Sequence, residues 1–275
     1  MKKIIATFCA LLLIVAFKAS AQKEQTRQVS GFTGISNNGS FDVRLKIDGT
    51  ESVRVESERG EYDKIETVVE GGVLRIGTRS KLGWLNGVRG NVTIYVSAKA
   101  ISSIKNNGSG DVKVEGNLSG RDLELHNSGS GAIKVEGNVN GENLSIKNNG
   151  SGDVKLNGVA TVGKASVGVS GSGNITAGIK GGDVDSHLSG SGNITLSGSA
   201  NNADISVSSS GQINARAMHA ATVKARVTGS GNIHIGVDKT IDAHISGSGN
   251  IIYNGAGNIN NIHTSGSGSI RRGNE

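Results

Sequence analysis

The 275-residue chain has no proline, one cysteine and only 3% aromatic residues. So few rings exclude an ordinary globular core organised around Phe, Tyr and Trp. The absence of proline excludes a collagen helix and a proline-rich linker. The single cysteine, Cys9, sits inside an apolar stretch and not just before a cleavage site, which argues against a lipoprotein anchor. Once that stretch is removed, no thiol remains for a disulfide, a thiolate metal site or a cysteine nucleophile. Long apolar runs are also missing after the first residues, so no later segment reads as a membrane span.

The chain opens with Lys2 and Lys3, an apolar stretch from Ile4 to Phe17, and the small residues Ala19-Ser20-Ala21. This is the pattern of a secretory signal peptide over residues 1–21, and it predicts export. That segment carries Lys2, Lys3 and Lys18 and no acid, so its removal lowers the formal charge from +6 to +3. The remaining cations are scattered among acids with few aromatics nearby, which excludes a nucleic-acid binder.

Glycine is abundant, at 43 residues, and its placement is regular. Gly-Ser-Gly begins at Gly108, Gly129, Gly150 and Gly171, each 21 residues after the last, and again at Gly190, Gly229, Gly247 and Gly266. With a degenerate copy at Ser209, the later spacings run from 18 to 20. A repeat of this length marks a solenoid. Apolar residues alternate with polar ones on both sides of each turn. Leu123 and Leu125, Leu144 and Ile146, Val167 and Val169, and Ile205 and Val207 precede turns; Val112 and Val114, Ile133 and Val135, and Ile194 and Leu196 follow them. Period-two alternation interrupted by glycine excludes helices and predicts strands with these residues facing inward.

Each unit therefore reads as two short strands and two turns, with glycine expected to supply positive φ at the corner. The fold expected is all-β: a single-stranded parallel β-helix or β-solenoid of about 20 residues per coil, its winding right-handed by the general preference of parallel crossovers. Nine coils at about 4.8 Å each would make a rod of roughly 40 Å. One coil cannot offset its own ordering entropy, so stability belongs to the stack. Residues 22–104 are richer in charge and poorer in Gly-Ser-Gly, and they read as irregular opening coils and a cap, with one helical turn at Tyr62 to Ile65. Residues 105–275 read as the regular repeat, continuous with it. Arg271, Arg272 and Glu275 at the far end would discourage end-to-end growth.

The repeats resemble those of the putative auto-transporter adhesin family called the head GIN domain. The residues that carry the resemblance are Gly-Asn-Ile at Gly173 to Ile175, Gly192 to Ile194, Gly231 to Ile233 and Gly249 to Ile251, with Phe32-Thr33-Gly34-Ile35 and Phe41-Asp42-Val43 at the start. The chain departs from that pattern at Val96 to Ala100, where a proline would stand, and in the turn at Ser209. The resemblance implies a β-solenoid and an adhesive or surface role, and it supplies no catalytic residues.

Candidate sites weigh less than the repeat. The Gly-Ser-Gly turns lack the lysine and the following helix of a phosphate loop, so they read as corners with hydrogen-bonded columns down the stack. Calcium-binding repeats need a regular Asp, whereas the residue after the turn is Asp only at Asp111 and Asp153. His126, His187, His219, His234, His244 and His263 read as sharing no repeat phase and as solvated. Asp183, Asp185, Asp204, Asp238 and Asp242 read as unpaired. Trp84, with Tyr95 and Tyr253, could stack on a sugar, but Trp84 reads as an end cover of the core. No catalytic, cofactor or metal residue is therefore expected.

The reading that follows is an exported, non-enzymatic binding or scaffold protein of the periplasm or cell surface, from a Gram-negative bacterium. Its partner would be an envelope glycan, lipid or protein, and its solenoid faces could pair copies of the chain. The alternatives are a periplasmic lipid or carbohydrate binder with an apolar groove near the N-terminal part, and a polysaccharide-cleaving enzyme.

Overall fold

A computed structural model describes residues 24–79 and 88–273. Residues 1–21, read above as a signal peptide, together with Trp84 and Glu275, lie outside them. The chain is nearly all β and winds as a β-solenoid of about 8 turns with roughly 20 residues per turn. Every apolar residue named above as inward is buried, none more than 4% exposed. The single helical turn is a 3-10 turn at Tyr62–Lys64.

The opening strands are β1 (Glu24–Arg27), β2 (Gly34–Asn37), β3 (Asp42–Ile47), β4 (Ser52–Ser57), β5 (Ile65–Glu70), β6 (Val73–Thr78), β7 (Val92–Ala98), β8 (Ser103–Asn106) and β9 (Val112–Glu115). Their order in space differs from their order in the chain. The β2–β3 coil lies between two others: β2 pairs with both β6 and β8, and β3 with both β7 and β9, all in parallel. Antiparallel pairing is confined to β1–β4, β4–β7 and β5–β6. The β5–β6 hairpin turns on Gly71 and Gly72, both at positive φ, the backbone that a two-residue hairpin loop requires. Arg27 reaches from β1 to the main-chain oxygens of Tyr62 and Ile65 and to Thr67 Oγ1 at 2.6–2.9 Å, so one guanidinium satisfies acceptors at this end of the stack.

From residue 112 onward every coil lies parallel on the one before. Each coil has three pairing runs rather than two. One precedes the Gly-Ser-Gly turn, and we call its sheet the first face; one follows the turn and forms the second face. The third carries Leu118, Val139, Ala160, Ile179, Gly198 and Met218 in register. Small residues and glycine blur the alternation in this run.

The turn glycines have a different cause from the one expected. In the first five repeats they are not at positive φ; only Gly229, Gly247 and Gly266 are. What forbids a side chain is the neighbouring coil: a Cβ at Gly150 would overlap the carbonyl oxygen of Gly129, and one at Gly171 that of Gly150. The close approach lets each such carbonyl accept two N–H groups from the next coil. Ser151 and Gly152 donate to Gly129 O at 3.2 and 3.3 Å, and Ser172 and Gly173 to Gly150 O at 3.2 and 3.1 Å.

Two side-chain columns brace these turns. The outer one is the expected corner ladder: Asp111 accepts the Ala132 N–H at 2.8 Å, Asp153 that of Asn174 at 2.9 Å, and Asn174 that of Asn193 at 3.0 Å. The inner column is Asn37, Asn106, Asn127 and Asn148, four side chains with no solvent exposure. Asn148 donates to Gly152 O at 2.7 Å and accepts from Asn127 at 3.3 Å and from the Gly150 N–H at 3.3 Å. In later coils Val169, Leu188, Val207, Val227 and Ile245 continue the same column.

On the second face Lys134 joins Asp111 at 2.9 Å. Partial burial pushes the Asp111 carboxyl up, but Lys134 and the Ala132 N–H outweigh it and hold the group below its usual value. A depressed carboxyl contributes stability above its unfolded pKa and loses it as pH falls through the folded one. Asp111→Asn is therefore expected to lower the urea midpoint at neutral pH, by under about 1 kcal/mol because the pair is half exposed, and to leave no difference at the lowest pH.

Candidate functional site

The first face presents outward residues in columns, one residue per coil. The column three residues ahead of each turn runs Lys105, His126, Lys147, Gly168, His187, Ser206, Arg226, His244 and His263. Four of the six histidines thus share one phase, which corrects the reading that they do not. They are solvent-facing, as expected of the alternation, yet they are aligned. His244 and His263 stack with ring centroids 4.9 Å apart and planes 6° from parallel. His187 Nδ1 lies 2.9 Å from Ser206 Oγ. His219 and His234 lie elsewhere: His219 is 3.4 Å from Asp238, and burial, then Arg216 and Arg271, hold the His234 imidazole below its ordinary pKa.

The adjoining column runs Ser103, Glu124, Ser145, Ser166, Asp185, Asp204, Lys224 and Asp242. Asp185 and Asp204 are register partners on neighbouring coils, which corrects the expectation that the acids are unpaired. Asp185 is 2.9 Å from Lys164, whereas the side chains of Asp204 and Lys147 make no hydrogen bond or ion pair among the described residues.

Between these columns lies a trough along the stack. Its middle is a hollow of about 560 Å³ lined by Lys147, Ser166, Gly168, Asp185, His187 and Asp204. Asp204 is shared with a hollow of about 400 Å³ running to His263, while a separate hollow of about 480 Å³ lies on the far side of the Ser103 column, beside Asp122, Asn143 and Lys164. The surface so formed runs from Lys147 to His263 and carries charges of both signs.

The other candidates are dispersed. Tyr95 lies on the second face with the Arg54 guanidinium 4.0 Å from its ring centre, and Tyr253 is buried at the C-terminal end. Among the described residues the hollow at the N-terminal end is not an apolar groove. The hollow there is lined by Gln25, Arg27, Asp63, Glu66 and Arg79, while an apolar one of about 590 Å³ opens beside Leu196 and Ala217. Among the described residues no three His, Cys, Asp or Glu side chains gather as a metal site, and no helix is long and apolar enough to cross a membrane. In the turns at Gly150, Gly171 and Gly190 the N–H groups of the serine and second glycine are taken up by carbonyls of the neighbouring coil.

Fold and surface define a repeat scaffold that presents a long polar face on a rigid stack. The model of the family putative auto-transporter adhesin, head GIN domain, matches residues 31–178 and 159–257, and the chain belongs to that family. It is similar to the crystal structure of a protein from Parabacteroides distasonis described as a putative lipid binding protein, at 26% identity and a TM-score of 0.68, over 92% of this chain and 98% of that one. A putative adhesin from the same organism is 22% identical with a TM-score of 0.71, over 91% and 96% of the two chains. One from Parabacteroides merdae is 19% identical with a TM-score of 0.70, over 92% and 98%. No curated protein matches the chain. These relatives are described as adhesins or binding proteins, not as enzymes.

Proposed function

We propose that this is an exported, non-catalytic binding protein of the cell envelope, in the periplasm or at the cell surface, whose first face holds an extended glycan. The observation that carries the reading is the trough: Ser, Asp, His and Lys recur on it coil after coil. Their spacing of about 4.8 Å along the stack is close to the length of one pyranose unit in a chain. Hydroxyl-rich ligands match such mixed donors and acceptors. A peptide strand could be added at the free edge of the last coil, Asn258–Ser265, and not along the trough, where coil-to-coil pairing consumes the edges.

A panel of immobilised neutral, acidic and amino-sugar polysaccharides tests this with the mature protein. Retention on a glycan without release of reducing ends is the expected result; turnover would replace the reading with a polysaccharide-cleaving one. The apolar hollow beside Leu196 and the relative described as lipid binding favour one second reading, a lipid binder. Saturable binding of a fatty acid with no glycan retained would establish that reading instead.

A further inference from the structure

Gly168 is the one glycine in its column, and nothing in the architecture requires it. Its φ lies outside the positive range, and a Cβ built there would meet only His187 O, at 4.0 Å. The turn glycines, by contrast, are forced by the carbonyls of the coil beneath. Glycine inside a strand weakens it, and where no bulge or turn needs it, it marks a place where something approaches the backbone closely. Here the bare backbone forms part of the floor of the trough's middle hollow, with Lys147 on the preceding coil and His187 on the next.

We propose that the recess over Gly168 is the principal subsite of the trough and seats one neutral pyranose ring. The proposal rests on the glycan reading and specifies it. The ring would lie flat on the Gly168 strand, where a side chain larger than a methyl would hold it off. Asp204, which has no partner among the described residues, would accept ring hydroxyl protons, and Lys147, equally unpartnered, would donate to a ring or hydroxyl oxygen. Ser166, His187 and Ser206 complete the wall. Neutrality follows from the charges: Lys147 and Lys164 balance Asp185 and Asp204, and a carboxylated sugar would meet the two adjacent aspartates.

Three probes suffice, namely hexamers of β-1,4-linked glucose, mannose and N-acetylglucosamine, titrated calorimetrically into the mature protein. At least one is expected to bind. Gly168→Leu, which fills the recess, should weaken it by about tenfold or more, while Gly168→Ala should stay within about threefold, since a factor of ten corresponds to the loss of a substantial group of contacts. Asp204→Asn should weaken binding without changing the unfolding temperature. Both glycine variants should melt at or above the wild-type temperature, because the site has room for them and the unfolded chain loses freedom. Unchanged affinity in Gly168→Leu, with affinity lost in a Lys224→Ala and His244→Ala double variant, would overturn the recess and leave the trough standing. No binding of any hexamer to wild type would overturn the neutral-ring subsite, and the polysaccharide panel then decides separately whether the trough binds glycan at all.

Discussion

Gly150→Ala is expected to cost more than about 4 kcal/mol, a loss reserved for substitutions that the structure cannot absorb. The added Cβ would overlap the Gly129 carbonyl oxygen, which is main chain held by two N–H groups of the next coil and cannot swing aside. Relief requires the two coils to part, and parting them breaks those bonds and opens the apolar column beside them. Denaturant titration followed by β-sheet circular dichroism measures the loss. Gly168→Ala is the control, one methyl added to a glycine 18 residues further on, where the structure leaves space. Equal destabilisation by both would show that glycine acts here through chain flexibility and not through coil contact.

Asn148→Leu is expected to destabilise by about 1–3 kcal/mol for each buried group that it leaves unpaired. Leucine is tolerated by shape, since Leu188 occupies the same column two coils later. The cost arises because the substitution strips the Asn127 amide and the Gly152 carbonyl of a partner at once, while the Gly150 N–H keeps the Asn127 carbonyl. Val169→Asn one coil further on tests the converse. If the column is interchangeable, that variant unfolds near the wild-type midpoint and the double variant recovers part of the loss; additive losses would mean that each coil is fitted to its own residue.

Much of this architecture is legible in the sequence because two periods coincide there. The turn spacing sets the coil, and alternation around Leu123, Ile133, Ile146 and Ile194 sets which residues face inward. The same alternation points to Asn106, Asn127 and Asn148 as inward residues, but their polarity argues for the surface, and only a stack of like amides resolves the conflict. The histidine column was equally available: His126, His187, His244 and His263 each stand three residues ahead of a turn. Counting back from the turns, rather than comparing histidines with one another, reveals it. Two features are not local properties of any segment. The insertion of β2–β3 between β6–β7 and β8–β9 depends on which of several similar strands meet, and alternation does not choose among them. The cause of the turn glycines lies in a neighbouring coil about twenty residues away, so conformational preference alone gives the wrong reason for the right residue.

That cause has a consequence for how such a molecule changes length. Except at Ser209, each turn is fitted to another turn of the same kind, glycine over glycine, so the fit changes little with which coil lies beneath. Removing residues 150–170 would bring Gly171 onto Gly129 with the contact intact, whereas removing half as many would set a side chain against a carbonyl. Gene duplication and loss can therefore add or subtract whole coils and little else. The first face lengthens or shortens with them in steps of about 4.8 Å, which makes the turn a ratchet on the length of surface that the protein can present.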